Sequence, residues 1–235
     1  MNLKLQAAQK ALEFVKSGMV VGLGTGSTTT YFIDLLGEKL RLGDLQDIQG
    51  VPTSASTANQ AQSLNIPLTT LAKCAELDLA VDGADEVDPY LDLIKGLGKA
   101  LLREKIVEIH ARQFIVIVDE TKLVQRLGTH IPLPIELIKF EWEASLRWLN
   151  NLGCRAELWF QDNGMPFVTD NGNYLARCWF EDHATGSLSG ISDPFALAAQ
   201  LANRPGIVEH GLFLNMADKV IIAGLEGINM VERKP

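Results

Sequence analysis

The 235-residue chain lacks long apolar runs, an excess of basic charge and a paired set of cysteines. No run approaches the roughly 20 apolar residues of a membrane-spanning helix, so we expect no membrane partner. The formal net charge of −8 argues against nucleic acid as a partner, because nucleic acids are bound by basic faces. Cys74, Cys154 and Cys178 are odd in number and form no C-x-x-C motif, which indicates reduced, buried thiols.

The first residues also lack the charged n-region and apolar h-region of a secretory signal. Residues 1–15, MNLKLQAAQKALEFV, instead predict an amphipathic helix. We therefore expect a soluble, cytoplasmic protein. With 47% hydrophobic and 21% charged residues, the chain has the composition of a globular protein that can bury an ample core.

Strand and helix patterns alternate through the first half of the chain. Apolar segments predict strands at 19–24, 48–53, 66–71, 77–81 and 113–118. Helical patterns lie between several of them, including one over 98–111. This alternation is typical of a parallel sheet covered on both faces, and it predicts a doubly wound α/β domain.

The pattern changes near residue 128. Helical patterns at 141–151 and 194–202 flank a strong hairpin turn at Asn171-Gly172, which predicts a smaller α+β domain with antiparallel strands. The apolar segment 217–224 is again typical of a parallel sheet, and we expect it to return to the first domain. The predicted domains are 1–128 plus 208–235 and 129–207.

Polar residues follow the predicted strands of the first domain. The segments concerned are 25–30, 54–57, 82–85 and 119–122. Ligands of open α/β sheets bind beyond the carboxyl ends of the strands, where these hydroxyls, carboxylates and a lysine converge. The sequence therefore predicts a binding site for a small polar molecule at this edge.

The segment GLGTGSTT, residues 22–29, is suited to bind an anion. Its three glycines permit a tight turn, and Ser27 and Thr28 present hydroxyls at the start of a helix, where free amides favour a phosphate. A G-x-G-x-x-G fingerprint fails because Ser27 replaces the third glycine, and no lysine completes a P-loop. A sugar monophosphate fits better than a nucleotide. The alternative is that Ser27 and Thr28 only cap the helix.

The segment 82–104 combines an aspartate-rich run with Lys95, a glycine-containing turn and a helix that carries Glu104. Carboxylates beside a lysine suggest proton transfer with a cation to hold the developing charge. Taken alone, the segment fits an active site and a solvated loop about equally well, and for Glu104 the residues alone favour a solvated helix glutamate. The three-residue spacing of the aspartates could bind Mg²⁺, but it lacks the EF-hand pattern, and the four histidines lack ligand spacing. We expect no metal.

Four motifs in this order, GLGTGSTT, VDGADEVD, K-G-x-G and LLREKIV, resemble the type A family of ribose-5-phosphate isomerases. The resemblance covers nearly the whole chain and weakens through roughly 140–205. It implies an aldose–ketose isomerase that interconverts ribose 5-phosphate and ribulose 5-phosphate without a metal or organic cofactor. It also implies a Rossmann-like domain, a smaller ferredoxin-like α+β domain, and a homodimer or homotetramer.

The resemblance also implies roles for single residues. Glu104 corresponds to the general base. From the chemistry of such a reaction, we expect Lys95 and the amides of Gly96 to Gly98 to hold the enediolate oxygen, and Asp82 and Asp85 to exchange protons with the sugar hydroxyls. The implied substrate-binding residues are Thr25, Gly26, Ser27, Thr28, Asp82, Gly83, Ala84, Asp85, Lys95, Gly96, Leu97, Gly98, Lys122 and Lys4.

Two positions depart from the family pattern. Leu97 stands where the family often has a third glycine, and Lys99 stands where it has a small residue. Two other functions also fit the residues: a non-catalytic sugar-phosphate sensor and a metal-dependent hydrolase of sugar phosphates.

Overall fold

The computed structural model of the chain describes residues 2–181 and 187–234. The helices of these residues are α1 (Leu3–Leu12), α2 (Ser27–Leu42), α3 (Ala55–Ser63), α4 (Leu101–Glu108), α5 (Trp142–Asn150) and α6 (Pro194–Ala202). The strands are β1 (Val20–Leu23), β2 (Gln49–Pro52), β3 (Leu79–Asp82), β4 (Glu86–Val87), β5 (Leu93–Ile94), β6 (Phe114–Asp119), β7 (Leu133–Leu137), β8 (Arg155–Leu158), β9 (Tyr174–Trp179), β10 (Ile207–His210), β11 (Leu212–Phe213), β12 (Lys219–Gly224) and β13 (Gly227–Glu232).

The chain forms two compact units. Unit 1 consists of Met1–Ala84, Arg103–Lys122 and Asn215–Pro235, and unit 2 consists of Asp85–Leu102 and Leu123–Leu214. The domain limits drawn from the sequence, 1–128 plus 208–235 and 129–207, remain a prediction. None of the described helices is both long and apolar enough to cross a lipid bilayer.

Unit 1 is built on a six-stranded sheet in the order β13-β12-β6-β3-β1-β2. The five strands from β12 to β2 are parallel, and β13 pairs antiparallel at the edge. The chain runs from β1 out to β2 and then crosses back to β3 on the other side of β1. This is the predicted doubly wound arrangement. The segment 217–224 returns to this sheet as predicted, and the structure places it as β12 beside β6.

Helices cover both faces of this sheet. Small side chains of α1, among them Ala7 and Ala11, pack with Phe32 of α2 in the main core of unit 1. A separate cluster places Val107 of α4 against Val51 and Leu77. Strands buried on both faces have continuous apolar sequences rather than alternating ones, which explains the run FIVIV in β6.

Unit 2 has a four-stranded antiparallel sheet in the order β10-β7-β9-β8, with α5 and α6 connecting its strands. Numbered along this βαββαβ segment, the order is 4-1-3-2, which is the predicted ferredoxin-like arrangement. Strand β7 was missed because Pro134 lies within it. Only Ile135 to Leu137 of β7 pair with β10. Pro134 precedes them, so the N–H that proline lacks removes no hydrogen bond between β7 and β10.

Two further differences from the sequence prediction concern short segments. Residues 66–71 form no strand, because Pro67 has no N–H and the segment pairs only with Gly50, through a single bridge at Leu68. The acidic run is not an irregular loop, because β4 and β5 form a hairpin within it that pairs with β11. Strands of two residues leave no periodicity that a sequence pattern can show.

Candidate active site

The loops that follow β1 and β3 meet at the carboxyl edge of the unit 1 sheet. The amide of Gly24 donates to the Val81 carbonyl at 3.0 Å. A methyl group at Gly24 would lie 2.1 Å from Cγ of Asp82, so only glycine fits here. The contact lies where the strand order reverses, which is the usual ligand-binding position of such sheets.

Asp82 holds the glycine loop in place. Its side chain is fully buried, and Oδ1 accepts hydrogen bonds from the Thr25 amide at 3.0 Å, the Thr29 hydroxyl at 3.0 Å and the Gly83 amide at 2.6 Å. A buried carboxylate needs such donors to replace water. Asp82 is therefore part of the loop's framework as well as a predicted proton handler, and Thr29 is a residue that the sequence analysis missed.

The Thr25 hydroxyl extends this framework to the end of β2. It lies 2.7 Å from the Thr53 hydroxyl, 2.8 Å from that of Ser54 and 3.0 Å from that of Thr57. The sequence predicted that the polar segment 54–57 contributes to the binding site, but it gave no role to Thr53. The hydroxyl cluster fixes the start of the predicted phosphate loop.

The start of α2 combines three features that favour an anion. Gly26 is its N-cap, and within the described chain no side chain hydrogen-bonds to cap it. The Lys4 ammonium of α1 donates to the Ser27 hydroxyl at 2.8 Å. Ser27 therefore does not cap the helix, and a cation, a hydroxyl and unsatisfied helix amides lie together.

Two other predicted ligands lie at the same edge of unit 1. Thr28 is half-buried in the first turn of α2. Lys122 is half-buried in the 3-10 turn Glu120–Lys122, which directly follows β6. Because β6 is parallel to β1 and β3, its carboxyl end opens on the same side of the sheet.

Glu104 lies in the first turn of α4 and is 2% exposed. Val107, one turn later on the same face, is buried in the cluster with Val51 and Leu77. The face of α4 that carries Glu104 is therefore turned toward the interior of unit 1. This burial contradicts the alternative that Glu104 is a solvated helix glutamate.

In unit 2, the β4–β5 hairpin places Asp85 and Lys95 at one end. Glu86 pairs with Ile94, and Asp85 and Lys95 directly flank this pair. The Asp85 amide donates to the Ile94 carbonyl at 2.8 Å, and Lys95 is 2% exposed with its ammonium 5.3 Å from the centre of the Phe213 ring. The buried Lys95 thus lies beside a half-buried Asp85 at one end of the hairpin, and the pair is not fully solvated.

The turn after Lys95 has few unbonded amides. The Leu97 amide donates to Oδ2 of Asp85 at 2.9 Å, and the Lys99 amide donates to the Gly96 carbonyl at 2.9 Å. Over the residues that the structure describes, the Gly96 and Gly98 amides have no acceptor. The predicted set of oxyanion donors therefore narrows, because Leu97 already binds Asp85.

Gly96 is required by its surroundings. Its φ of 111° disfavours other residues, and a methyl group there would lie 2.9 Å from Cδ2 of Leu101.

Glu86 is a buried acid to which the sequence analysis gave no role. Its carboxylate accepts backbone hydrogen bonds from Gly128, from His130 at 2.6 Å and from Ile131 at 3.1 Å. Burial raises the pKa of the Glu86 carboxyl, and the three backbone donors oppose that rise only in part. Glu86 fastens the hairpin that carries Asp85 to the loop 128–131.

Comparison with protein families gives a match over residues 49–227 to ribose 5-phosphate isomerase A, also called phosphoriboisomerase A. The chain belongs to this family. A relative from Arabidopsis thaliana, "Probable ribose-5-phosphate isomerase 3, chloroplastic", is 48% identical over 99% of this chain and 83% of its own length. The ribose-5-phosphate isomerase A of Pyrococcus horikoshii is 46% identical over 99% of this chain and 98% of its own.

Solved structures of family members have the same fold. A D-ribose-5-phosphate isomerase in complex with phospho-erythronic acid matches with a TM-score of 0.93 and 46% identity, over 99% of this chain and 100% of that chain. The enzyme from Plasmodium falciparum matches with a TM-score of 0.92 and 37% identity, over 99% of both chains. The family fold, a Rossmann-like sheet with a smaller ferredoxin-like unit, is therefore that of this chain.

Proposed function

We propose that the protein interconverts D-ribose 5-phosphate and D-ribulose 5-phosphate by proton transfer through an enediolate. The observation that carries this proposal is the burial of Glu104 in the same unit as the uncapped start of α2, where Lys4 of α1 donates to the Ser27 hydroxyl. The first supplies a base away from water, and the second supplies a place for a phosphate. Membership of the isomerase family supports the choice of a five-carbon sugar phosphate.

The phosphate is assigned to unit 1. The amides at the start of α2, the Ser27 and Thr28 hydroxyls and the Lys4 ammonium are its ligands, with Lys122 as a second cation. Helix amides and lysines stabilise phosphate through charge-assisted hydrogen bonds. Gly26, Gly83 and Ala84 contribute backbone to the same binding loops.

Glu104 is assigned the role of general base. It takes the proton from C2 of the open-chain aldose, which leaves an enediolate, and returns the proton to C1 while the hydroxyl proton moves to the other oxygen. One carboxylate can perform both steps because the two carbons are adjacent. Its burial keeps the abstracted proton from exchanging freely with bulk water.

The charge of the enediolate is assigned to Lys95 and the turn that follows it. The Lys95 ammonium and the Gly98 amide stabilise the oxyanion, since donors fixed before the reaction need no reorganisation in the transition state. Asp82 and Asp85 exchange protons with the sugar hydroxyls and assist ring opening. No metal or organic cofactor enters these steps.

A single assay separates this reaction from its rivals. Ribose 5-phosphate is incubated with the protein and EDTA, and ketose, free phosphate and bound sugar are measured. We expect ketose to form at the same rate with and without EDTA. Phosphate release that stops on chelation would identify a hydrolase, and binding without any ketose would identify a sensor.

We also propose that the protein is a homodimer or homotetramer, that it is cytoplasmic, and that it serves the non-oxidative pentose phosphate pathway or the Calvin cycle. The family resemblance supports the assembly and the pathway. Sedimentation equilibrium at micromolar concentration tests the assembly. A mass of one chain would contradict it.

Phospho-erythronic acid, which a solved relative binds, is a suitable probe of the site, because its carboxylate resembles the charged enediolate.

A further inference from the structure

Lys99 ends the turn that carries Gly98, and it has an unusual backbone conformation. Its φ is 67°, in the left-handed region that side chains other than glycine rarely adopt. Its amide nevertheless closes the turn on the Gly96 carbonyl. The turn closes with Lys99 in this conformation, so contacts that hold the Lys99 side chain also favour the closed turn.

Two aromatic rings of the same unit hold the Lys99 side chain. Its ammonium lies 4.5 Å from the centre of the Phe167 ring and 5.1 Å from that of the Trp159 ring. Both distances are within the range of cation–π attraction, and Lys99 is half-buried, which strengthens it. We call the Trp159 and Phe167 rings with the Lys99 ammonium the aromatic clamp.

The backbones that carry the two rings are held by hydrogen bonds. The Trp159 amide donates to the Leu175 carbonyl of β9 at 2.7 Å, and the Phe167 amide donates to the Trp159 carbonyl at 2.8 Å. The clamp therefore joins the end of the turn to the four-stranded sheet of unit 2. The other end of the turn is joined to Asp85 through the Leu97 amide.

We propose that Lys99 is a positioning residue for the isomerase reaction. Through the aromatic clamp, Lys99 holds the Gly98 amide in place. The turn is fastened on both sides of Gly98, at Leu97 and at Lys99. Gly98 is exposed, and without the clamp the left-handed residue beside it would relax toward an ordinary conformation. The inference rests on the proposed role of this turn in stabilising the enediolate.

The test measures binding of phospho-erythronic acid by calorimetry in Lys99→Ala, Lys99→Arg and Lys139→Ala. We expect Lys99→Ala to weaken binding about tenfold, equivalent to about 1.4 kcal/mol, at unchanged stoichiometry. Lys99→Arg keeps a cation over the rings and should bind nearly as the wild type does. Lys139 lies 5.4 Å from the Tyr174 ring centre, so Lys139→Ala is a matched loss of a cation–π contact away from the turn.

A second arm uses Trp159→Leu and the double variant with Lys99→Ala. Because both substitutions break the same clamp, their effects should not add. The affinity of the double variant for phospho-erythronic acid should equal that of whichever single variant binds it less tightly. In Lys99→Ala, kcat for ribose 5-phosphate should also fall about tenfold, while KM changes less than about twofold. The reason is that the Gly98 amide stabilises the transition state more than the bound substrate. A loss of folded protein would lower the stoichiometry instead.

The clamp would be refuted if Lys99→Ala bound phospho-erythronic acid as tightly as the wild type, or if the losses of the two single variants multiplied in the double variant. A wild-type protein that forms no ketose from ribose 5-phosphate would refute the proposed function and the clamp together. An active wild type with unaffected Lys99 variants would refute the clamp alone.

Discussion

Asp82 shows how one residue can serve both structure and chemistry. It lies 57 positions from Thr25 in the sequence, yet its Oδ1 accepts the Thr25 amide and fixes the glycine loop. In the sequence, Asp82 directly follows a predicted strand, and this position predicted a binding site at the edge of the sheet. It could not show which donors the carboxylate would meet, because those donors come from distant segments. Thr29 and Thr53 were missed for the same reason.

Ser27 tests the phosphate site at the residue scale. Its hydroxyl binds the Lys4 ammonium at the start of α2. We expect Ser27→Ala to raise KM for ribose 5-phosphate about tenfold with little change in kcat, because a phosphate contact contributes equally to substrate and transition state. Steady-state kinetics measure both constants.

Ser63→Ala is the matched control for this prediction. It removes a serine hydroxyl from α3 that, among the residues the structure describes, bonds only to the Gln60 carbonyl. The KM of Ser63→Ala should equal that of the wild type. A pure fall in kcat in Ser27→Ala would contradict the phosphate assignment.

Glu86 makes a pH-dependent contribution to stability. Burial raises its pKa above the ordinary value of 4.5, so the folded state holds the proton more tightly than the unfolded chain does. The resulting stabilisation is fully present below pH 4.5 and is lost as the pH rises through the folded pKa. Glu86→Gln removes the titrating group and with it this dependence.

Urea unfolding of the wild type and Glu86→Gln, from about pH 4 to about pH 8, measures the effect. The free energy of unfolding of the wild type should fall relative to that of the variant as the pH rises. A difference that stays constant, or that changes in the opposite direction, would show that the pKa is not raised.

At the scale of elements, long periodic segments were predictable and short ones were not. Helix α6 spans the predicted residues, and β6 agrees within one residue, because each has a clear period or apolar run. The β4–β5 hairpin lies in an acidic run whose sequence suggests solvent, yet Glu86, Asp92 and Lys95 are buried there. The structure and burial of such a segment depend on tertiary contacts, which cannot be read from the local sequence.

The contact between the β1 loop and Asp82 leaves no room for a side chain at Gly24. Any side chain at Gly24 must displace Asp82, whose Cβ and Cγ lie within 2.5 Å of the added methyl group. We expect Gly24→Ala to lower the free energy of unfolding by about 3 kcal/mol, at the upper end for overpacking a buried position. Chemical denaturation measures it.

Gly83→Ala is the comparison for that variant. A methyl group at Gly83 meets its nearest neighbours at 3.8 Å and 4.0 Å, which is ordinary contact. Its stability should stay within about 1 kcal/mol of the wild type. Equal stability of Gly24→Ala and the wild type would show that the loop adapts without cost.

At the scale of the whole molecule, the doubly wound sheet, the smaller ferredoxin-like unit and the family could all be predicted from the sequence. The alternation of strands and helices indicated the first, and four ordered motifs indicated the last. The donors available to an oxyanion could not be predicted. The Leu97 amide binds Asp85, and this pairing depends on the hairpin that the acidic run conceals.

The central claim is that Glu104 abstracts the proton, and its most direct test is the turnover of Glu104→Gln. We predict that kcat falls about a thousandfold while the affinity for phospho-erythronic acid stays within about threefold, because the amide keeps the shape of the side chain and loses only the base. Glu108→Gln, a buried glutamate one turn later in α4, should keep kcat close to that of the wild type. A Glu104→Gln protein that turns over at nearly the wild-type rate would show that Glu104 is not the base.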